Sequence, residues 1–407
     1  MRPTFLLRHT CAPLATTPAL TPSAESVNVI CRETGTIILD LSNFQLKADD
    51  VIAIARMINV RTRLTALNLS HNNVEEPGMG CLCAALKSNS VLTKLDLSWA
   101  SIDDESLSAI ADVLSVNATL TTLQLSSNTF TTAGLEQLCD AMKTNVTLES
   151  LNLSDNDILD SGAELIGDFL KTNTGLKILY LSSCLIEHEG ERHLGEALRV
   201  NSVLTSLDLW SNPFGSSRTI ANALLSNTTL IDLNMEDTEC GDLGAIAFAS
   251  ALTMNTTLKS LSPQSNDIRF RGARALAVAL KRNVGLTHMD LIDNDGFSDV
   301  GLRLLCASLE VKRNLAALHV GNVGTRHSAG GRAIANLLKR NKALTTLAVH
   351  LEFGYGRSPS CVPFIIADAL SRNTALTTTL NLKHQRQLQC RRWKVRSDAS
   401  RDAEVCD

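Results

Sequence analysis

One phrase returns along this chain at a near-constant interval, and that period constrains the fold more than any local propensity does. Leu64-Thr-Ala-Leu67-Asn-Leu69-Ser-His-Asn72-Asn-Val74 recurs with the same spacing from Leu120 to Phe130, from Leu148 to Ile158 and from Leu204 to Phe214. With the second leucine as marker, Leu39, Leu67, Leu95, Leu123, Leu151, Leu179 and Leu207 follow one another every 28 residues. Leu233 comes after 26, Leu261 and Met289 after 28 each, Leu318 and Leu347 after 29 each, and Leu380 after 33. A second marker keeps the same time: Asn89, Asn117, Asn145, Asn173, Asn201, Asn227, Asn255, Asn283, Asn314, Asn341 and Asn373. A period of this length means stacked supersecondary units, so 407 residues that would otherwise suggest several domains make one elongated array.

Each unit has two halves. Leucines spaced L-x-x-L-x-L form a short strand with its apolar side inward. Three residues past the last leucine position of each strand comes Asn, at 72, 128, 156, 212, 266 and 294. It is expected at a turn, where its amide can donate to and accept from backbone groups that burial would leave unpaired. Cys184, Thr238 and Ala100 hold that place in three units. Ala has no polar side-chain atom, which predicts a weak rung at Ala100, with Trp99 beside it plugging the defect. The second half is helical: Gly134–Met142 and Gly272–Leu280 place apolar residues at three- and four-residue spacing. The closing Asn is expected in the left-handed conformation that ends many helices.

One such unit cannot bury both its strand and its helix, so neighbours stack into a curved solenoid. The predicted fold is an α/β horseshoe, parallel strands on the concave face and helices on the convex face. Residues 1–35 read as a disordered tail, 36–383 as an array of about 12 repeats, and 384–407 as an irregular tail. The array decays near its end, where Glu352 replaces the turn Asn and a Gly/Pro-rich loop enters at 353–363.

A 28-residue unit with a full helix resembles the ribonuclease-inhibitor-like class of leucine-rich repeats, also found in NOD-like receptors and in Ran GTPase-activating proteins. The resemblance covers roughly residues 37 to 382. It implies the horseshoe and leaves function open, because the same unit serves inhibitors, receptors and scaffolds. Ribonuclease inhibitors are far richer in Cys. Ran-type activators carry an acidic tail where this sequence has Arg391-Arg392-Trp393-Lys394-Val395-Arg396, and no G-x-x-x-x-G-K-[ST] loop occurs. The expectation is a non-catalytic scaffold or sensor that holds a partner protein on its concave face. The alternatives are a GTPase-activating regulator, which needs an Arg reaching from a rim loop, and a detached receptor-type sensing array.

Hydrophobic content of 44% with only 4% aromatic fits a core of aliphatic side chains. No apolar run approaches a membrane span, and no membrane partner is expected. Arg2 and Arg8 with no acid before Glu25 faintly suggest a transit peptide, but Pro3, Pro13, Pro18 and Pro22 oppose an amphipathic helix there. Of the eleven Cys, those inside the repeats, such as Cys139, Cys184, Cys240 and Cys306, fall where the repeat wants small apolar residues, as reduced thiols of a cytoplasmic protein would. Sequons at Asn117, Asn145, Asn227 and Asn255 coincide with the closing Asn and read as by-products of the repeat. His188, His193 and the nearby glutamates are not read as a metal site, and no cofactor is expected.

Net charge of −4 conceals an asymmetry: residues 1–240 hold 15 Lys+Arg against 29 Asp+Glu, and residues 241–407 hold 23 against 13. Such a field can orient a charged partner, or simply decorate solvated helices. Nucleic acid is not expected, since the basic residues are not interleaved with aromatics that stack bases.

The outward strand positions name a candidate site. After Ser42, Ser70, Ser98, Ser126, Ser154 and Ser182, the same column turns to Trp210 and Glu236. Tyr180 interrupts the adjoining column of small polar residues one repeat earlier. With strands about 4.8 Å apart, Tyr180, Asp208, Trp210, Asp232, Asn234 and Glu236 form one expected patch. Aromatics ringed by carboxylates suit a protein partner with a basic contact surface. Chance drift of the repeat is the competing account.

Overall fold

The computed structural model describes residues 28–31, 37–59, 63–310, 312–325, 328–353 and 362–377. Within them runs one thirteen-stranded sheet whose strand order is the chain order. From Ile37–Asp40 to Thr346–Phe353 every adjacent pair of strands is parallel, and a helix follows each strand. The marker leucines pair in register, Leu67 with Leu95, then Leu123, Leu151 and Leu179. The sequence period is thus the strand-to-strand step. Strands lie about 4.8 Å apart and packed helices 8–10 Å apart, so the helical side is the longer one and the sheet lines the inner face.

The sheet begins earlier than the expected boundary. Asn28–Cys31, inside the stretch read as a tail, is a strand paired antiparallel with Ile37–Asp40, Asn28 opposite Asp40. The pairing covers an edge that would otherwise present unpaired backbone. The remainder of that expected tail, most of the loop at 353–363 and all of 384–407 lie outside the described residues.

The turn asparagines do what their chemistry suggests. Asn128 Oδ1 accepts from the N–H groups of Ala100 and Ile102, and its Nδ2 donates to the carbonyls of Leu97, Leu125 and Ser126. Thr238 Oγ1 donates to the Met235 carbonyl, and Cys184 Sγ makes longer contacts to the Leu153 and Ser182 carbonyls. At Ala100 the backbone makes up part of the loss, the Val74 N–H turning to the Ala100 carbonyl at 3.3 Å. Trp99 plugs nothing. It lies at the left-handed corner of its strand (φ 55°), is 58% exposed, and stacks on His71 with centroids 5.5 Å apart.

The helix-closing asparagines behave differently from expectation. Asn89 and Asn283 have φ of −74° and −58°, so left-handed tolerance is not why Asn is there. Their side chains build a second ladder along the helical edge. Asn117 Nδ2 donates to the Leu86 and Asn89 carbonyls of the preceding unit, while Oδ1 accepts from the N–H of Thr119 and Leu120. Asn145, Asn227 and Asn255 are buried and bonded in the same way, which leaves no accessible amide at their sequons. One rung is not Asn314. Lys312 takes the position, its buried ammonium donating to the Leu280 carbonyl at 2.6 Å, and burial pulls its pKa down.

Acidic side chains tie helices forward. Asp104, Asp160 and Asp242, each in the first turn of a helix, accept N–H bonds from the start of the next one, at Thr131 and Gly134, Glu187 and Gly190, and Arg269 and Gly272. The 26-residue unit is short because its helix, Arg218–Ala223, has only six residues. There Glu191 of the preceding helix reaches the Ile220 N–H at 2.7 Å. Near the end of the array the turn Asn is lost, and the strands simply run on: Ala317–Thr325 and Thr346–Phe353 pair past a register shift between Val320 and Val323.

Candidate partner-binding site

The three strands Ile178–Tyr180, Ser206–Asp208 and Asp232–Asn234 are neighbours, with Tyr180 opposite Asp208 and Asp208 opposite Asn234. Trp210 and Glu236 follow two residues on from Asp208 and Asn234, hence on the same side. All six residues of the expected patch are therefore brought together on the inner face. Trp210 is 44% exposed, Asp232 is exposed, and Tyr180, Asp208, Asn234 and Glu236 are half-buried.

Two of the six have structural work. Asp208 Oδ1 accepts from the Trp210 N–H at 3.1 Å and from Asn234 Nδ2 at 3.0 Å, and Asn234 Oδ1 accepts from the Glu236 N–H. The same side-chain turn holds Ser42 on Asp40, Ser70 on Asn68 and Ser98 on Asp96. Asp and Asn recur in this column because their short carbonyl reaches the N–H two residues on. Tyr180 cannot, and in its unit Ser154 Oγ accepts the Ser182 N–H instead. Tyr180, Trp210, Asp232 and Glu236 are what the patch presents.

Glu236 accepts from Gln264 Nε2 at 2.7 Å. Burial, then the charges of Asp290, Asp208, Asp237 and Asp293, holds its carboxyl above the usual carboxylate range. These neighbours extend the patch beyond the six residues, and they include a pair that reading the sequence missed. His319 Nδ1 lies 2.8 Å from Asp290 Oδ2, a hydrogen bond that raises the imidazole pKa. His319 follows Asp290 in the same outward column, so carrying the column one strand further would have found it. Electrostatically the surface sets two aromatic side chains beside an acidic rim, in which Asp290 is bonded to His319.

Other side chains offer little chemistry. Burial pushes the Cys83, Cys184, Cys240 and Cys306 thiols up to about 12 and raises Cys139 as well, far from the depressed values of nucleophilic cysteines. Among the described residues no three His, Cys, Asp or Glu side chains are grouped to hold a metal ion, and no helix is long and apolar enough to cross a membrane.

A parallel sheet with one helix per strand, two asparagine ladders and a 28-residue register defines a leucine-rich repeat solenoid, and this chain is a leucine-rich repeat protein. Residues 71–158, short of half the chain, match the model of the leucine-rich domain of the tropomodulin and leiomodin family. No curated protein matches the chain by sequence. Among solved structures, the yeast complex of Rad7 and Elc1 is similar at 17% identity and TM-score 0.52, covering 84% of this chain and 87% of that one. Leiomodin-1 Actin-Binding Site 2 matches at 22% identity and TM-score 0.31, over 44% of this chain and 88% of that one. The tropomodulin C-terminal domain of Caenorhabditis elegans matches at 17% and 0.32, over 38% and 93%. The matched family segment ends at residue 158, before the strand that carries Tyr180.

Proposed function

We propose that this protein is a non-catalytic scaffold that holds a partner protein on its concave face, with Tyr180 and Trp210 as anchors and Asp232 and Glu236 as the acidic rim. The observation that carries this reading is the change in the inner face at Trp210. Small serines give way there to an indole that is 44% exposed, next to a tyrosine on the adjacent strand and carboxylates on the following one. Exposed aromatics in a polar rim are what binding hot spots are made of. The partner brings Lys or Arg to the site, and a cation beside Glu236 offsets the burial and the carboxylate repulsion that raise its pKa. The GTPase-activating and receptor-array alternatives gain no observation of their own.

Affinity capture from extract of the source cell tests the reading, comparing wild type with Tyr180→Ala/Trp210→Ala after thermal melts confirm equal folding. The similar fragment of leiomodin-1 is an actin-binding site, which makes purified actin the first defined probe. A protein held by wild type and lost from the double variant supports the patch. Identical captures from both would sink it.

A further inference from the structure

The convex face is not uniform. Over the first half the helices turn Glu105, Asp112, Glu136, Asp140, Glu164 and Asp168 to solvent, the ordinary polar face of a surface helix. The three consecutive helices Gly241–Leu252, Phe270–Arg282 and Ser298–Leu309 break this rule. Their exposed positions hold Leu243, Ile246, Arg271, Arg274, Val300 and Leu304, with Leu243 63% exposed.

Register makes these one surface. The step of 28 sets Leu243 level with Arg271 and Ile246 level with Arg274, and the next step of 29 sets Val300 level with Arg271 and Arg303 level with Arg274. Arg271 of the middle helix therefore rises between Leu243 and Val300, and Arg274 between Ile246 and Arg303. Val278, 55% exposed, continues the apolar strip along the middle helix, and Lys281 and Arg282 close its end. Every exposed charged residue of these three helices is Arg or Lys. Asp242 is turned inward to the N–H groups of Arg269 and Gly272, and neither Arg271 nor Arg274 is in an ion pair among the described residues.

Three helices 8–10 Å apart present a strip roughly 20 Å wide, and contiguous apolar patches of a few hundred Å² mark interaction sites. We propose that this strip docks the protein peripherally on an anionic lipid surface. Leu243, Ile246, Val300 and Leu304 enter the interfacial layer, while Arg271 and Arg274 reach lipid phosphates and carboxylates on stems that lie along apolar neighbours. Charge complementarity selects this occupant: the strip is wholly cationic, and its side chains project outward on ridges, as contact with an extended surface requires. Docking by the outer face leaves the inner face open to its partner and turned away from the lipid.

Co-sedimentation of the full chain with vesicles provides the test, using phosphatidylcholine alone or with phosphatidylserine added. The expected result is several-fold more protein bound when phosphatidylserine is present, falling to the phosphatidylcholine level in Arg271→Glu/Arg274→Glu. Leu243→Ser/Val300→Ser is expected to lose most of the binding as well. Lys87→Glu/Arg199→Glu makes the same change in charge on other convex helices and is expected to keep it. Thermal melts establish that each variant is folded. No preference for phosphatidylserine, or binding undiminished in Arg271→Glu/Arg274→Glu, overturns the proposal. So does equal loss in the charge-matched control, or retention in Leu243→Ser/Val300→Ser.

Discussion

Asp104 and Gly134 stand thirty residues apart in the chain, yet the carboxylate of one accepts the backbone N–H of the other at 3.1 Å. The contact depends on the glycine. A Cβ at 134 would sit 2.7 Å from Asp104 Oδ1 and 2.8 Å from its Cα. The same arrangement recurs at Asp160 with Gly190 and Asp242 with Gly272, where the bonds are 2.9 and 2.6 Å. Gly134→Ala is therefore expected to destabilise the fold by about 1–3 kcal/mol, as overpacking does. Gly80, where an added Cβ would meet nothing within 4 Å, is the control. Gly80→Ala is expected to stabilise its helix by about 0.5–1 kcal/mol, and denaturant melts distinguish the two signs.

The ladders predict a pair of opposite effects. Asn128→Ala removes a side chain serving five backbone groups of two units, one of which, the Leu125 carbonyl, also accepts from Asn156, and a loss of roughly 3 kcal/mol is expected from the groups left unpaired. Lys312→Asn replaces a buried ammonium with the residue the other rungs use, and a gain of about 1 kcal/mol is expected. A melt of Lys312→Asn below that of wild type would show that the ammonium suits its site better than an amide.

Glu191 gives a dependence on pH. It is fully buried, one oxygen held by the Ile220 N–H and the other without a hydrogen-bond partner, and burial raises its pKa above 4.5. A raised folded-state value means that the protonated form fits better. The stability it adds is complete below pH 4.5 and is lost as pH rises through the folded-state pKa. Glu191→Gln is expected to melt higher than wild type at about pH 7 and to show little difference at about pH 4. An equal difference at both pH values would remove the carboxyl as its source.

The His319–Asp290 pair acts near neutrality. The hydrogen bond to Asp290 raises the imidazole pKa above 6.5, so the stability it contributes is complete below pH 6.5 and fades as pH rises through the raised value. His319→Gln is expected to flatten the stability profile across roughly pH 6 to 8. The measurement is a series of denaturant melts on both proteins, and parallel profiles would refute it.

How much of this was legible in the sequence follows the range of each interaction. Leu67, Leu95 and Leu123 announced strand, register and core together, because one period governs all three. Asn128 was legible because a turn amide has one obvious use. Asn117 was placed correctly and explained wrongly: backbone tolerance accounts for one residue at a helix end, whereas the structure uses its side chain across two units. Asp104 was invisible as a cap, since its targets lie 27 and 30 residues away. At the candidate site, alternation along a strand placed all six residues on one face. It could not separate Asp208 and Asn234, which shape the backbone, from Trp210, which the backbone merely presents. Trp99 misled because its neighbour lacked a polar side chain, while its own left-handed backbone aimed the ring outward.

The polar links between units have direction. Asparagines reach back to the unit before them, as Asn128 does to Leu97, and acids reach ahead, as Asp104 does to Thr131. Synthesis runs one way along the same chain, amino end first. Where such an acid stands, a helix leaving the ribosome meets a carboxylate already in place to receive it, whereas a turn served by an asparagine of the next unit waits for an amide still to be translated. The nascent array is finished behind and open in front at every moment of its growth, with a single unit always awaiting its successor.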